Sequence, residues 1–355
     1  MFLRLEGDQG DTLEASVTEF VPLDYEELAK IPILKGKDIS FRIVAKSDKH
    51  SINDEGSTVN TTLTFNVNFP HQVSIFALVE GGWLPPPFVM SKLFMMDRNV
   101  VSVLKQLNNG SSRKDHIATE WWTNLLSDKD VLINPVFYAL EGCNKKAPTY
   151  SEFVRSFDEA VVEIQSALPG VSVINYQGIH YKAAYTVIEE LSEKLSKEAD
   201  FLLDVVPLVK NRVHAKNLDQ IKNVIISKAK DRGVVQSLAF LAALSCLYES
   251  DQEYTYPVAR KIIKPKNAYS EGDAYNALND LRILQLATSV RGAINEKFSV
   301  CTQDVALALF WCGLAPMIDN FVDSKVTITF KFSKHLFPRM PLNAVDDIQF
   351  ALSSH

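Results

Sequence analysis

Polar and apolar residues alternate most cleanly between Thr61 and Phe69. Leu63, Phe65, Val67 and Phe69 fall on one side, and Thr62, Thr64, Asn66 and Asn68 on the other. A period of two predicts a half-buried antiparallel strand. Ile39 to Ala45 alternates with Ser40, Arg42 and Val44, and Gln72 to Val79 supplies a third strand candidate. The polar stretch Ser47 to Ser57 between the first two reads as a solvent loop. Residues 1–85 therefore read as a β-rich module. A later alternation, with Val326, Ile328, Phe330 and Phe332 on one face, predicts a strand over 325–333 that would return to this sheet. Gly81 to Pro87, GGWLPPP, marks the module's end, because three consecutive prolines continue neither sheet nor helix.

After the prolines the period changes. Lys92 to Met96 is a short apolar run that stops on Asp97, and Val100, Val101, Val103 and Leu104 then take helical spacing. Phe298 to Cys301 repeats the arrangement: an apolar run, then Thr302, Gln303 and Asp304, then a helix with Val305, Ala306, Leu309, Phe310 and Cys312, ended by Gly313. Between them, Asn134 and Pro135 start a short helix that carries Glu141 near its end, with Gly142 as its stop. Thr149 and Glu152 form a capping box. Helical periodicity runs through 181–197, 200–210, 215–231 and 233–249, with weak breaks at Pro207 and Gly233. A long helix begins at Glu271 or Asp273 and reaches about Val290, with Asp273, Asn276 and Asp280 on one face. Residues 88–314 thus read as an α/β domain with a helical insertion at about 181–250, and 315–355 as a C-terminal extension.

Composition bounds the class. The chain has 355 residues, 46% of them hydrophobic, and a net charge of -6. This balance argues against bulk electrostatic attraction to nucleic acid but allows a local basic rim. Cys143, Cys246, Cys301 and Cys312 contain no CxxC pair, so buried free thiols are expected rather than a zinc site. The N-terminal MFLRLEGDQG lacks the apolar core of a signal peptide. The most apolar long window, Val234 to Tyr248, is too short to span a bilayer. A cytoplasmic protein with no membrane association is expected.

Two strands ending on Asp97 and Asp304 would bring these carboxylates together at the C-terminal edge of one sheet, and two helices would add Glu141 and Asp280. Each acid also has a plainer role: Asp97, Asn99, Thr302 or Asp304 as a helix cap, and Asp280 on an exposed helix face. Four facing carboxylates repel one another, and a hard divalent cation, Mg²⁺ or Mn²⁺, would relieve the cost. No histidine lies near any of them in sequence, which argues against zinc.

The set resembles a known family. LFMMDRNVVSVL looks like the first motif of PIN-domain nucleases, a strand ending in Asp, then a variable residue, Asn or Thr, and a helix. FSVCTQDVALALF looks like their last motif, ALEG like the second acid, and NALNDLRILQLA like the third. The resemblance covers roughly Lys92 to Leu314. It implies a PIN-like parallel sheet flanked by helices, here with a helical insertion and an N-terminal β-rich module. It also implies a metal-dependent endonuclease that hydrolyses phosphodiester bonds, of RNA in preference to DNA. Asp97, Glu141, Asp280 and Asp304 would hold Mg²⁺ or Mn²⁺ and carry catalysis, with Asn99 and Thr302 as hydrogen-bonding supports. The long middle, Thr149 to Tyr269, and the β module exceed the family's compact core.

Arg98, Lys145, Lys146, Lys264 and Lys266 would form a nucleic-acid rim around the acids, joined by Arg113, Lys114, Lys261 and Arg282. Trp121 and Trp122 could stack on bases or fill a core. Two rival readings remain. The first is a catalytically silent PIN-like scaffold that recruits nucleic acid or protein. The second is an Asp97-nucleophile phosphotransferase, which usually has a second acid where Asn99 stands. A regulatory protein partner and homo-oligomerisation are left open by the sequence.

Overall fold

The computed structural model describes residues 2–6, 12–30, 38–47, 59–68, 73–110, 120, 123–124, 126, 130–142, 145–250, 256–294, 297–322, 325–341 and 344. Arg113, Lys114, Trp121, Trp122 and Cys143, and most of the loop expected at 47–57, lie outside these residues.

The chain opens with β1 (Phe2–Glu6), β2 (Thr12–Phe20), helix α1 (Tyr25–Lys30), β3 (Asp38–Ser47) and β4 (Val59–Asn68). These four strands pair in sequence order as an antiparallel sheet. In β3 and β4 the predicted alternation is realised: Ile39, Phe41 and Ile43 are buried, while Ser40, Arg42, Thr62, Thr64 and Asn66 are exposed. The core face of this sheet holds Phe20, Phe41 and Phe65. Phe88, just after the prolines, stacks on Phe41 with ring centroids 4.8 Å apart.

Next come β5 (Phe76–Val79), β6 (Gly82–Leu84), β7 (Leu93–Met96), α2 (Arg98–Asn108), β8 (Leu132–Asn134), α3 (Val136–Leu140), α4 (Tyr150–Ala167) and β9 (Ser172–Val173). A helical block follows: α5 (Ile179–Val205), α6 (Leu218–Arg232), α7 (Leu238–Leu247), α8 (Val258–Ile263) and α9 (Glu271–Ile294). The chain then returns through β10 (Phe298–Thr302), α10 (Val305–Leu314), β11 (Pro316–Val322) and β12 (Lys325–Phe330). The breaks read at Pro207 and Gly233 are both present: α5 ends at Val205 in a 3-10 turn over Val206–Val209, and α6 ends on Gly233, while the segments read at 181–197 and 200–210 run as one helix up to Val205.

The central sheet has six strands in the order β6-β5-β10-β7-β8-β9. β10, β7, β8 and β9 are parallel, and the β5–β6 hairpin adds two antiparallel strands at one edge. The protein is thus α/β with a mixed sheet flanked by helices, not the purely parallel sheet of the sequence expectation. Two further placements depart from that expectation. Of the strand read at Gln72 to Val79, Phe76–Val79 forms β5 of this sheet, and the chain turns through Gly81 in the left-handed region (φ 77°) into β6. The sheet therefore starts before the prolines. β12 pairs with β11, not with the N-terminal sheet, because the chain turns back directly after α10.

Phe94, Met95, Met96, Ile133, Phe298, Val300 and Cys301 fill the sheet interior. Cys246, Cys301 and Cys312 are free thiols and are buried. α10 is apolar on every side because it is covered on every side, by α1, α8, β5 and β6. Its Trp311 pins the β5–β6 turn, with Nε1 donating to the carbonyls of Val79 (2.7 Å) and Gly82 (3.0 Å).

Gly313 does not stop α10, which runs one residue further and ends on Ala315 in the left-handed region. Glycine is needed there for close packing: a Cβ would lie 2.4 Å from Cγ of the buried Leu336. Gly313→Ala is expected to destabilise the protein by roughly 1–3 kcal/mol through overpacking. A lower denaturation midpoint in urea with an unchanged slope checks this.

Candidate active site

The site forms where β7 and β10 lie side by side. Met96 pairs with Cys301 at the ends of the two strands, and the Asp97 N–H still donates to the Cys301 carbonyl at 3.1 Å. From this point the chain diverges. β7 leads through α2 to β8 on one side, while β10 leads to α10, packed over β5 and β6 on the other. A crevice outside the carboxyl ends of parallel strands, at such a reversal of strand order, is the usual ligand position of open α/β sheets.

Asp97 and Asp304 each follow their strand and cap the next helix. Asp97 Oδ1 accepts from the Val100 N–H at 2.9 Å, and Asp304 Oδ1 from the Leu307 N–H at 3.0 Å. The cap reading is therefore true of both, and it fixes where the carboxylates stand. Thr302 ties them together. Its buried hydroxyl accepts from the Asp304 N–H at 3.0 Å and hydrogen-bonds the Asp97 carboxylate. Asn99 is exposed and meets Asp97 through its backbone N–H, not its side chain.

Glu141 sits at the C-terminal end of α3, where its charge opposes the helix dipole. The opposite end of another helix compensates, because the Arg98 N–H in the first turn of α2 donates to Glu141 Oε1 at 3.1 Å. The N-terminus of α2 thus serves two acids at once. The end of α3 is clamped from α9: the Glu141 carbonyl accepts from the Tyr275 hydroxyl and from Asn279 Nδ2, both at 2.9 Å, and the Leu140 carbonyl from the Arg282 guanidinium. Gly142 stops the helix as its position suggested, in the left-handed region, with the Arg98 guanidinium donating to its carbonyl.

Three of the acids hold protons far more tightly than ordinary carboxylic acids. Asp97, only 1% exposed, is pushed up to about 7 by burial and then by the Asp304 charge, against the hydrogen bonds from Thr302 and Val100. Glu141 rises to about 8 through burial and through the Asp97 and Asp280 charges. Asp280, on α9, rises to about 7 through burial and the Asp304 and Asp97 charges, with Lys264 opposing. Each of the three responds to at least one other acid of the set, so all four share one electrostatic site. Perturbation of this kind by burial together with specific charges is a mark of functional sites. Among the described residues, no three His, Cys, Asp or Glu side chains are gathered closely enough to hold a metal ion as they stand.

The basic residues divide. Arg282 is not part of a rim: it is 2% exposed and lies beneath the acids, bonded to the Leu140 carbonyl and Tyr275. The Arg98 guanidinium is also engaged, over the Tyr138 ring at 5.0 Å as well as on Gly142. Lys145 and Lys266 approach Asp273, at 3.8 and 2.8 Å, while Lys146 and Lys264 are exposed. Tyr275, Asn279 and the buried role of Arg282 escaped the sequence reading. The signal was available in YNALNDLR, where Tyr275, Asn279 and Arg282 share one helical face at i, i+4 and i+7.

The fold defines an α/β protein with an acidic site at the switch point of a mixed sheet. No family model, curated protein or solved structure matches this chain. Among the described residues, no helix is long and apolar enough to cross a membrane.

Proposed function

We propose that this protein is a metal-dependent endonuclease with a PIN-like domain, acting on RNA in preference to DNA. The observation that carries the reading is the shared electrostatic site of Asp97, Glu141, Asp280 and Asp304 at the carboxyl ends of β7 and β10. Acids that are buried or half-buried side by side hold a large unfavourable energy whenever they ionise together. An all-oxygen donor set of that charge fits a hard divalent cation, Mg²⁺ or Mn²⁺. Asp97, Asp280 and Asp304 would hold it, with Thr302 orienting two of them. When bound, such a cation supplies activation of water and charge stabilisation at the leaving oxygen of a phosphodiester. Glu141 would accept a proton from the attacking water. Its pKa of about 8 lies near working pH, where a general base is most effective. Lys264 and Lys266, on the loop before α9, would meet the phosphates.

The test incubates labelled single-stranded RNA and DNA with the protein and its Asp304→Ala variant, in Mn²⁺, Mg²⁺ or chelator. Cutting that needs a divalent cation and disappears in the variant is the expected result. Equal cutting by both proteins would remove Asp304 from the mechanism.

One observation favours a second reading, a catalytically silent PIN-like scaffold. Asp97 and Asp304 are engaged as helix caps, and the described acids do not surround a common point. Under that reading, acid substitutions leave partner binding unchanged and no divalent cation binds.

A further inference from the structure

Beside the acids, two stretches of the helical block contain cations and no acid: 209–218, VKNRVHAKNL, and 258–270, VARKIIKPKNAYS. They are remote in sequence but adjoin in space. Arg260 on α8 donates from Nη1 to the carbonyls of Val209 (3.0 Å) and Lys210 (2.9 Å), while its Nε is paired with Glu249 at 2.7 Å. Arg339 Nη2 donates to the Val213 carbonyl at 2.9 Å, and the Arg212 guanidinium to that of Ser250. Two arginines thus hold the backbone of the 209–213 segment against its neighbours, so its position on the surface is fixed.

Cations stand out among the outward-facing side chains of the two stretches, the other exposed ones being neutral groups such as Asn211, Asn217 and Asn267. Lys210, Arg212, Lys216, Lys261, Lys264 and Lys266 are all exposed. Among the described residues, Lys210, Lys216, Lys261 and Lys264 form no ion pair, whereas Lys222, Lys228 and Arg232 on the neighbouring α6 are paired with Asp219, Asp204 and Asp200. The track has a direction. At one end Lys264 acts on Asp280, and Lys266 reaches Asp273 in the first turn of α9. At the other end lie Arg212 and Lys216. In a chain of net charge -6, such a segregated basic stripe that ends at an acidic centre is the footprint expected for a polyanion led to that centre.

We infer that the surface formed by 209–218 and 258–266 is a track for the sugar-phosphate backbone of a single-stranded polynucleotide, running from the helical block to the acids. The inference rests on the nuclease reading only for where the strand leads; the binding stands by itself. Bound without cutting, a single strand gives a logarithmic affinity that falls with salt by about 0.7 per phosphate neutralised.

The test measures anisotropy of labelled single-stranded RNA and DNA oligonucleotides in chelator, over a series of salt concentrations. Wild type is compared with Lys210→Ala/Lys216→Ala/Lys261→Ala, and a thermal melt verifies that the variant is folded. The expected result is binding weakened about tenfold or more at low salt, with a slope smaller by about 2 for three lost contacts. Comparison of the RNA and DNA arms shows which backbone the track prefers. Equal affinity and slope in the folded variant overturn the inference. So does the absence of oligonucleotide binding by wild type, or binding only to anionic phospholipid vesicles run in parallel. Track-dependent binding by a wild type that never cuts in Mn²⁺ would leave the track standing and sink the nuclease.

Discussion

Asp97→Asn, freed of metal by chelator, is expected to unfold at a higher temperature than wild type at pH 8, and to cut no RNA when Mn²⁺ is restored. The folded-state pKa of Asp97 is about 7, against about 4 in an unfolded chain. Between those values the native protein binds more protons than the unfolded one, so its stability falls as pH rises. Below about pH 4 the residue is neutral in both states and costs nothing. Above about pH 7 the folded protein bears a buried charge facing Asp304. Asn keeps an oxygen to cap Val100 while removing that charge. The gain is therefore absent at acid pH and reaches roughly 2–4 kcal/mol at pH 8. Glu141 and Asp280, raised to about 8 and 7, add slopes of the same sign. Activity moves the other way. If Asp97 holds the cation as proposed, its loss should lower the rate by more than the roughly 10–100-fold typical of an outer partner. Melts at pH 5 and pH 8 beside a cleavage assay check both halves. A variant that is less stable than wild type at pH 8 would mean the Asp97 charge is compensated in a way this structure does not contain.

Arg282→Ala should be among the most damaging substitutions in the protein, at roughly 3–5 kcal/mol. Three losses combine. The Leu140 carbonyl loses its donor, the Tyr275 hydroxyl loses a neighbour, and a cavity opens beneath α3. The guanidinium is also a buried cation that feels the Glu141 charge, secondary to Arg98 in its effect on that acid. Removing a cation that favours the Glu141 anion raises that acid's pKa further. The acid limb of a pH–rate profile should then move to higher pH, a shift that loosened packing alone would not produce. Arg282→Lys should recover part of the stability, since an ammonium supplies the charge without the planar fork. Urea denaturation gives the stability, and the profile gives the shift. Arg282→Lys, which keeps the charge, should leave the acid limb near its wild-type position, and an unmoved limb in a folded Arg282→Ala protein would detach Arg282 from the chemistry.

How much of this was legible in the chain differs by element. The strand–acid–helix runs at Asp97 and Asp304 were plain, because a buried parallel strand is a continuous apolar run and its end is abrupt. Their adjacency was an inference from topology, and the β10–β7 register supplies it. The β5–β6 hairpin was missed because Pro85 to Pro87 looked like a boundary, when Glu80 and Gly81 had already made the turn. Arg282 was misread as rim because charge alone does not reveal burial. Its place at i+7 from Tyr275 put it under α3, where the last carbonyls of a short helix require donors. The stripe at Lys210 to Lys216 was hidden within a segment read only for helical periodicity. Its meaning depends on Arg260, which no local pattern links to Val209.

The role proposed for these acids together is to hold a hard divalent cation. Its most direct test is a calorimetric titration of Mn²⁺ at pH 7 in two buffers of different ionisation heat. With acids titrating near 7 to 8, binding must displace protons. The account predicts a saturable heat that differs between the buffers in wild type and vanishes in Asp97→Asn/Asp280→Asn. No saturable binding by wild type up to millimolar Mn²⁺ would contradict it.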